Sequence, residues 1–172
     1  IPLLLSAKTG AKKIYGIEIQ KPSYELAVRN LQLNSLGGRV EFICDDLKNW
    51  KNHFASGSAD VITCNPPYMK VGAGFKNPDD CKAAARHELF VNFEEIAKNA
   101  AALLKFGGYF YTVHRADRLC DVLYYLRLNA LEPKRLCFVS PSPEHPANLI
   151  LVEAMRGAKP SLKIEKPIYA NI

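Results

Sequence analysis

The run Asn65-Pro66-Pro67-Tyr68 places two hydrogen-bond acceptors and one aromatic face on a stiff stretch of chain. The Asn65 side-chain oxygen and the Pro66 carbonyl can both accept from a single planar –NH2 group. Two such bonds aim the nitrogen lone pair at an electrophile and favour a tetrahedral nitrogen. Tyr68 can stack on the ring that bears the amine, worth ~1–3 kcal/mol per base for aromatic stacking. An alkylated amine is acidic, so no strong general base is needed. Two further positions carry acids where ligands are commonly held. Glu18 follows the apolar run Ile14–Ile17, and Asp45-Asp46 follows Phe42-Ile43-Cys44. An acid at such a strand end can accept from both hydroxyls of a ribose, or simply end the strand in solvent. Asp45 and Asp46 suit either an adenine amino group or the cap of a following helix.

These residues need elements that bring strand ends to one edge. Strand-like and helix-like segments alternate along the chain, the pattern of a parallel α/β sheet. Lys13–Ile19 reads as a buried strand ending on Glu18. Pro22 suits a first helical turn, and Tyr24, Ala27, Val28 and Leu31 form one helical face that Gly37-Gly38 should stop. Val40–Cys44 reads as the next strand, followed by a short polar helix near Leu47–Phe54. Ala59–Cys64 is a third strand running directly into Asn65, where two prolines must end the ladder. Residues 69–88 read as a loop. Phe93, Ile96, Ala97, Ala100 and Leu104 then restore a helical stripe, closed by Gly107-Gly108. Tyr109–His114 is a strand, and Leu119, Val122, Leu123 and Leu126 mark a further helix. Arg135–Val139 and Leu149–Met155 are strands without a helix between them, which predicts an antiparallel hairpin at one sheet edge. The tail from Gly157 reads as looser. Ligands of an α/β sheet bind at the carboxyl ends of its strands, and Glu18, Asp45-Asp46 and Asn65–Tyr68 all fall there.

Composition narrows the alternatives. A chain of 172 residues, 48% hydrophobic, is the size of one domain with a real core, so residues 1–172 are expected to form a single domain. No apolar run reaches the ~18–20 residues of a membrane span. The net charge of +6 is spread over both halves and permits an anionic partner without requiring one. Five cysteines at wide spacing, with no C-x-x-C pair, point away from zinc. An odd count of scattered cysteines fits reduced thiols in the cytoplasm better than a disulfide frame. The four scattered histidines likewise suggest no metal.

Asn65-Pro66-Pro67-Tyr68 resembles motif IV of S-adenosylmethionine-dependent amino methyltransferases. The longer run Thr63–Val71 is similar to one branch of them, the tRNA adenine-N6 methyltransferases acting on the anticodon-adjacent adenine of a valine tRNA. Gly16–Gln20, Ala85–Glu88, Val113–Arg115, Glu132–Arg135, Leu151–Glu153 and Gly157–Leu162 also fit, so the similarity covers nearly the whole chain. The resemblance implies a Rossmann-like class I methyltransferase fold, α/β with a mostly parallel sheet and an antiparallel C-terminal hairpin. It implies S-adenosyl-L-methionine as cofactor, with Glu18 and the adjacent Ile19 on its ribose and Asp46 with Leu47 at its adenine. Asn65, Pro66, Pro67 and Tyr68 are implied as the catalytic tetrad, Asn65 lying against the cofactor as well. The substrate would be tRNA, approached by Lys70, Arg86 and His87, and the target base must leave its stack to reach Tyr68.

The same tetrad also serves glutamine-amide N5 methyltransferases acting on proteins and adenine methyltransferases acting on DNA or ribosomal RNA. A non-catalytic RNA-binding relative is a further alternative. In the family, the stretch Ile-Pro-Leu-Leu-Leu follows a Gly-x-Gly turn that cradles the cofactor's methionine part. Here it stands at Ile1–Leu5, so the N-terminal strand and its Gly-rich loop are expected to be missing from these 172 residues.

Overall fold

The computed structural model describes residues 1–36, 38–66 and 93–170. They form two compact units, Ile1–Ala55 and Ser56–Ile172. In the first unit the order is α1 (Pro2–Lys8), β1 (Ile14–Glu18), α2 (Lys21–Leu33), β2 (Val40–Cys44) and a 3-10 helix over Leu47–Asn52. β1 and β2 pair in parallel, with Ile14 opposite Val40 and Glu18 opposite Cys44. Tyr24, Ala27, Val28 and Leu31 are the half-buried face of α2, as their spacing requires, while the positions between them are largely exposed. Ile14, Val40 and Trp50 fill the centre of this unit.

α2 stops earlier than the glycine pair suggests. Asn34 caps it, Leu36 N–H donates to Leu31 C=O at 3.1 Å, and Ser35 N–H donates to Gln32 C=O at 3.1 Å. This paired closure puts Ser35 in the left-handed region at φ 54°, the position glycine usually takes. The stop signal is thus carried by Asn34-Ser35, and Gly38 lies beyond it.

The second unit contains β3 (Ala59–Cys64), α3 (Phe93–Leu103), β4 (Leu104–Arg115), a 3-10 turn over Ala116–Arg118 and α4 (Leu119–Leu128). β5 (Leu131–Ser140), β6 (Leu149–Arg156), β7 (Lys163–Ile164) and β8 (Ile168–Tyr169) follow. The sheet runs β3-β4-β6-β5-β7, with β8 also on β5. β3 lies parallel to β4, while β6 is antiparallel to both β4 and β5. Across the two units, four of the six described strand pairings are parallel. The predicted hairpin is therefore present, but its β6 arm is inserted beside β4. The outer side of β5 is taken by β7 and β8, so the tail contributes to the sheet where the sequence suggested only loose chain.

Alternation along β4 decides which face is core. Phe110, Thr112 and His114 are buried, whereas Tyr109, Tyr111 and Arg115 point to the exposed side. Ile150, Val152 and Ala154 of β6 share the buried face with Leu136 of β5. α3 and α4 pack on each other and on these strands, bringing Ile96, Ala97, Ala100, Val122 and Leu126 into the core. β4 begins at Leu104, before the Gly107-Gly108 break. Leu104 already pairs opposite Ala59, and Gly107 at φ 81° carries the chain through an irregularity before Tyr109 meets Val61. Gly108 is needed there because a Cβ would sit 3.0 Å from Asp60 C=O and 2.9 Å from Lys105 C=O.

Candidate active site

In the first unit, the parallel register brings both acidic strand ends to one edge. Glu18 stands opposite Cys44, and Asp45-Asp46 leave the sheet immediately after it. Glu18 is half-buried, and its Oε1 accepts the Gln20 N–H at 2.9 Å. Among the described residues its Oε2 has no partner. Ile19 is exposed beside it.

Residue type alone does not tell Asp45 from Asp46, of which the resemblance picks Asp46, and their partners in the structure differ. Asp45 is fully engaged with protein. Its Oδ1 accepts from Asp46 N–H at 2.7 Å and from Asn49 Nδ2 at 2.8 Å, and its Oδ2 meets His53 Nε2 at 2.7 Å. Hydrogen bonds from Asn49, His53 and the Asp46 backbone hold the Asp45 carboxyl below the usual range. Asp46 caps the 3-10 helix through Oδ1, which accepts the Lys48 N–H at 2.9 Å. Its Oδ2 accepts no bond among the described residues. Capping and ligand binding are therefore compatible at Asp46, one oxygen for each. Leu47, the first residue of the turn, is half-buried next to it. An uncommitted carboxylate oxygen on Glu18 and another on Asp46 fit the two donor groups of a nucleoside, its ribose hydroxyls and its base amine.

In the second unit, β3 delivers Asn65 and Pro66 at its carboxyl end. Cys64 pairs opposite Thr112, so Val113 to Arg115 of β4 run on past the end of β3 at this same edge, still paired to β6. Asn65 is exposed and Pro66 is buried. Burial pushes the neighbouring Cys64 thiol up to about 11. It stays protonated at neutral pH and does not compete as a nucleophile beside an electrophile. Pro67, Tyr68, Lys70, Arg86 and His87 lie outside the described residues, as does the loop expected over 69–88.

His114 is a feature of this edge whose chemistry the sequence left unassigned. Its ring is buried, edge-on to Phe93 with centroids 5.4 Å apart, and its Nδ1 accepts the Arg115 N–H at 2.9 Å. Burial, and secondarily the Arg118 charge, push its pKa below the ordinary imidazole value. The exposed face of this sheet is concave, about 680 Å³, and borders Thr63 and Cys64. Among its charged groups, Arg135 is paired to Glu153 and Glu165.

Strand order, the inserted antiparallel β6 and the loaded strand ends define the class: the chain has the fold of the class I S-adenosylmethionine-dependent methyltransferases. A solved S-adenosylmethionine-dependent methyltransferase from Methanosarcina mazei superposes with a TM-score of 0.62 at 15% identity, over 92% of this chain and 88% of that one. Among proteins of known name, the chain is 28% identical over 152 residues to a tRNA1(Val) (adenine(37)-N6)-methyltransferase of Bacteroides fragilis. That alignment takes in 88% of this chain and 63% of the relative's length. A Methanocaldococcus jannaschii relative named for protein N5-glutamine methylation is 41% identical over 63 residues, 37% of this chain and 29% of its own. No protein-family model matches the chain. No helix among the described residues is long and apolar enough to cross a membrane.

Proposed function

We propose that the protein is an S-adenosylmethionine-dependent N-methyltransferase that methylates the N6 amine of an adenine in tRNA, in the cytoplasm. The observation that carries this reading is the placement of Asn65-Pro66 at the carboxyl end of β3, directly before Pro67-Tyr68, in a methyltransferase fold. The similarity to a relative named for adenine-N6 methylation of tRNA supports the choice of acceptor.

S-adenosylmethionine supplies, when bound, an electrophilic methyl group. Glu18 holds the ribose hydroxyls through its carboxylate, with Ile19 alongside. Asp46 Oδ2 accepts from the adenine amine of the cofactor, and Leu47 packs against that base. The Asn65 side-chain oxygen and the Pro66 carbonyl accept the two hydrogens of the target amine and turn its lone pair out of the ring plane. Pro67 stiffens that platform, and Tyr68 stacks on the extruded base. The methylated nitrogen is acidic and releases its proton without a strong base. Lys70, Arg86 and His87 serve the tRNA, the first two as cations for phosphate.

A second reading keeps the platform and replaces adenine by a glutamine amide, which is also a planar –NH2 group; the Methanocaldococcus jannaschii relative favours it. Offering the protein labelled S-adenosylmethionine with unmodified tRNA and, separately, with a glutamine-bearing protein acceptor distinguishes the two. Label in tRNA adenine is the expected result. Label in the protein acceptor alone overturns it.

A further inference from the structure

We propose that Asp45 and His53 are positioning residues that aim Asp46 at the cofactor adenine. This rests on the reading of Asp46 as the adenine acceptor given above. Neither Asp45 nor His53 has a place in that reading, yet together they clasp both ends of the turn that carries Asp46. Asp45 Oδ1 fixes the Asp46 N–H at 2.7 Å and the Asn49 amide at 2.8 Å, while Oδ2 reaches His53 Nε2 at 2.7 Å. The clasp spans eight residues and encloses the six-residue 3-10 helix Leu47–Asn52.

Such a helix has poor intrinsic hydrogen-bond geometry and is seldom stable without outside support. Its inner side is anchored by Trp50, which is 1% exposed and whose carbonyl accepts from His53 N–H and Phe54 N–H at 3.0 and 2.9 Å. Its outer side is held by Asp45. His53 is in turn set by Phe54, whose ring stands edge-on to it and to Tyr15 of β1 at centroid distances of 6.3 and 4.9 Å. The chain of contacts thus runs from the strand that ends in Glu18 to the turn that begins with Asp46. It fixes the backbone of Asp46 on its N–H side, so the direction of Oδ2 follows from the clasp and from the Lys48 cap.

The test is binding of S-adenosylhomocysteine, the demethylated cofactor, by titration calorimetry, with urea unfolding of each variant alongside. Asp46→Ala is the reference and should weaken binding at least tenfold. His53→Ala and Asp45→Asn should each raise the Kd roughly 5- to 20-fold, since small misplacement of a binding group is costly. His53→Gln, which can still donate to Asp45, should return the Kd to within about twofold of the parent. A purely structural role predicts a lower unfolding midpoint with the parent Kd, and that result overturns the proposal. If His53→Ala does not fold, Asp45→Asn and the His53→Gln comparison decide in the same way. Parent-like binding by Asp46→Ala overturns the reading of Asp46 itself, whereas weakened binding by Asp46→Ala with parent-like His53→Ala and Asp45→Asn overturns only the clasp.

Discussion

Asp46→Asn should separate the two tasks of this side chain. Asp46 Oδ1 accepts the Lys48 N–H and Oδ2 is open. Asparagine caps helices about as well as aspartate, so with its oxygen toward Lys48 the variant keeps the turn. Its –NH2 then faces the cofactor amine, donor against donor. Losing a hydrogen bond to a charged acceptor costs ~1.5–3 kcal/mol, which at about 1.4 kcal/mol per decade is roughly 10- to 150-fold in Kd. If the amide turns over, the ligand bond returns but the cap is lost, at ~1 kcal/mol of stability. Either way one of the two interactions is lost. Titration calorimetry with S-adenosylmethionine, paired with urea unfolding of the unliganded protein, reads both. The expected outcome is unfolding free energy within ~0.5 kcal/mol of the parent and affinity at least tenfold weaker. Parent-like affinity together with parent-like stability would refute the division of labour between the two oxygens.

Other consequences are independent of the cofactor. Ser35→Gly should stabilise the protein by ~0.5–1 kcal/mol, because Ser35 sits at φ 54° where glycine has no Cβ penalty; a lower unfolding midpoint contradicts the closure described for α2. Phe110→Ala should cost ~3–5 kcal/mol in urea unfolding, since Phe110 is wholly buried between β3 and β6 neighbours. The His114 ring binds its proton less readily folded than unfolded. The unfolded state therefore holds more protons below about pH 6.5, and stability falls as pH drops through that range. Unfolding of the parent and of His114→Gln at pH 7.5 and 5.5 checks this: the variant should lose less stability on acidification, and an equal loss in both rules His114 out as the cause.

Much of the architecture is legible in the residues because local pattern and tertiary packing agree. The stripe Phe93, Ile96, Ala97, Ala100 and Leu104 predicts the helix that packs on the sheet, and three of its members are core residues of α3. The alternation of β1, α2 and β2 is equally plain, since each ends on a polar or small-residue break. What escapes the sequence depends on partners distant in the chain. Leu104 joins β4 because Ala59 stands opposite it, and Lys163-Ile164 and Ile168-Tyr169 become strands only because β5 offers a free side. Asn34-Ser35 ends α2 through a left-handed φ that serine rarely adopts, so the glycines beyond it are the stronger sequence signal. At the site, strand ends mark where acids can act, but not which of two adjacent acids is free. That distinction rests on Asn49 and His53, four and eight residues from Asp45, which consume its oxygens. The chemistry of Asn65-Pro66 was readable from residue type alone, because rigidity and two acceptors are properties of the run itself.

The central claim is amine methylation directed by Asn65 and Pro66, and nucleoside mass spectrometry tests it most directly. Unmodified tRNA is treated with S-adenosylmethionine and either the parent protein or Asn65→Ala, then digested and its modified adenosines counted. The account predicts N6-methyladenosine from the parent and a loss of at least a hundredfold in its rate of formation with the variant, in line with removal of one transition-state acceptor. Formation at the parent rate by Asn65→Ala, or no N6-methyladenosine from the parent, would contradict it.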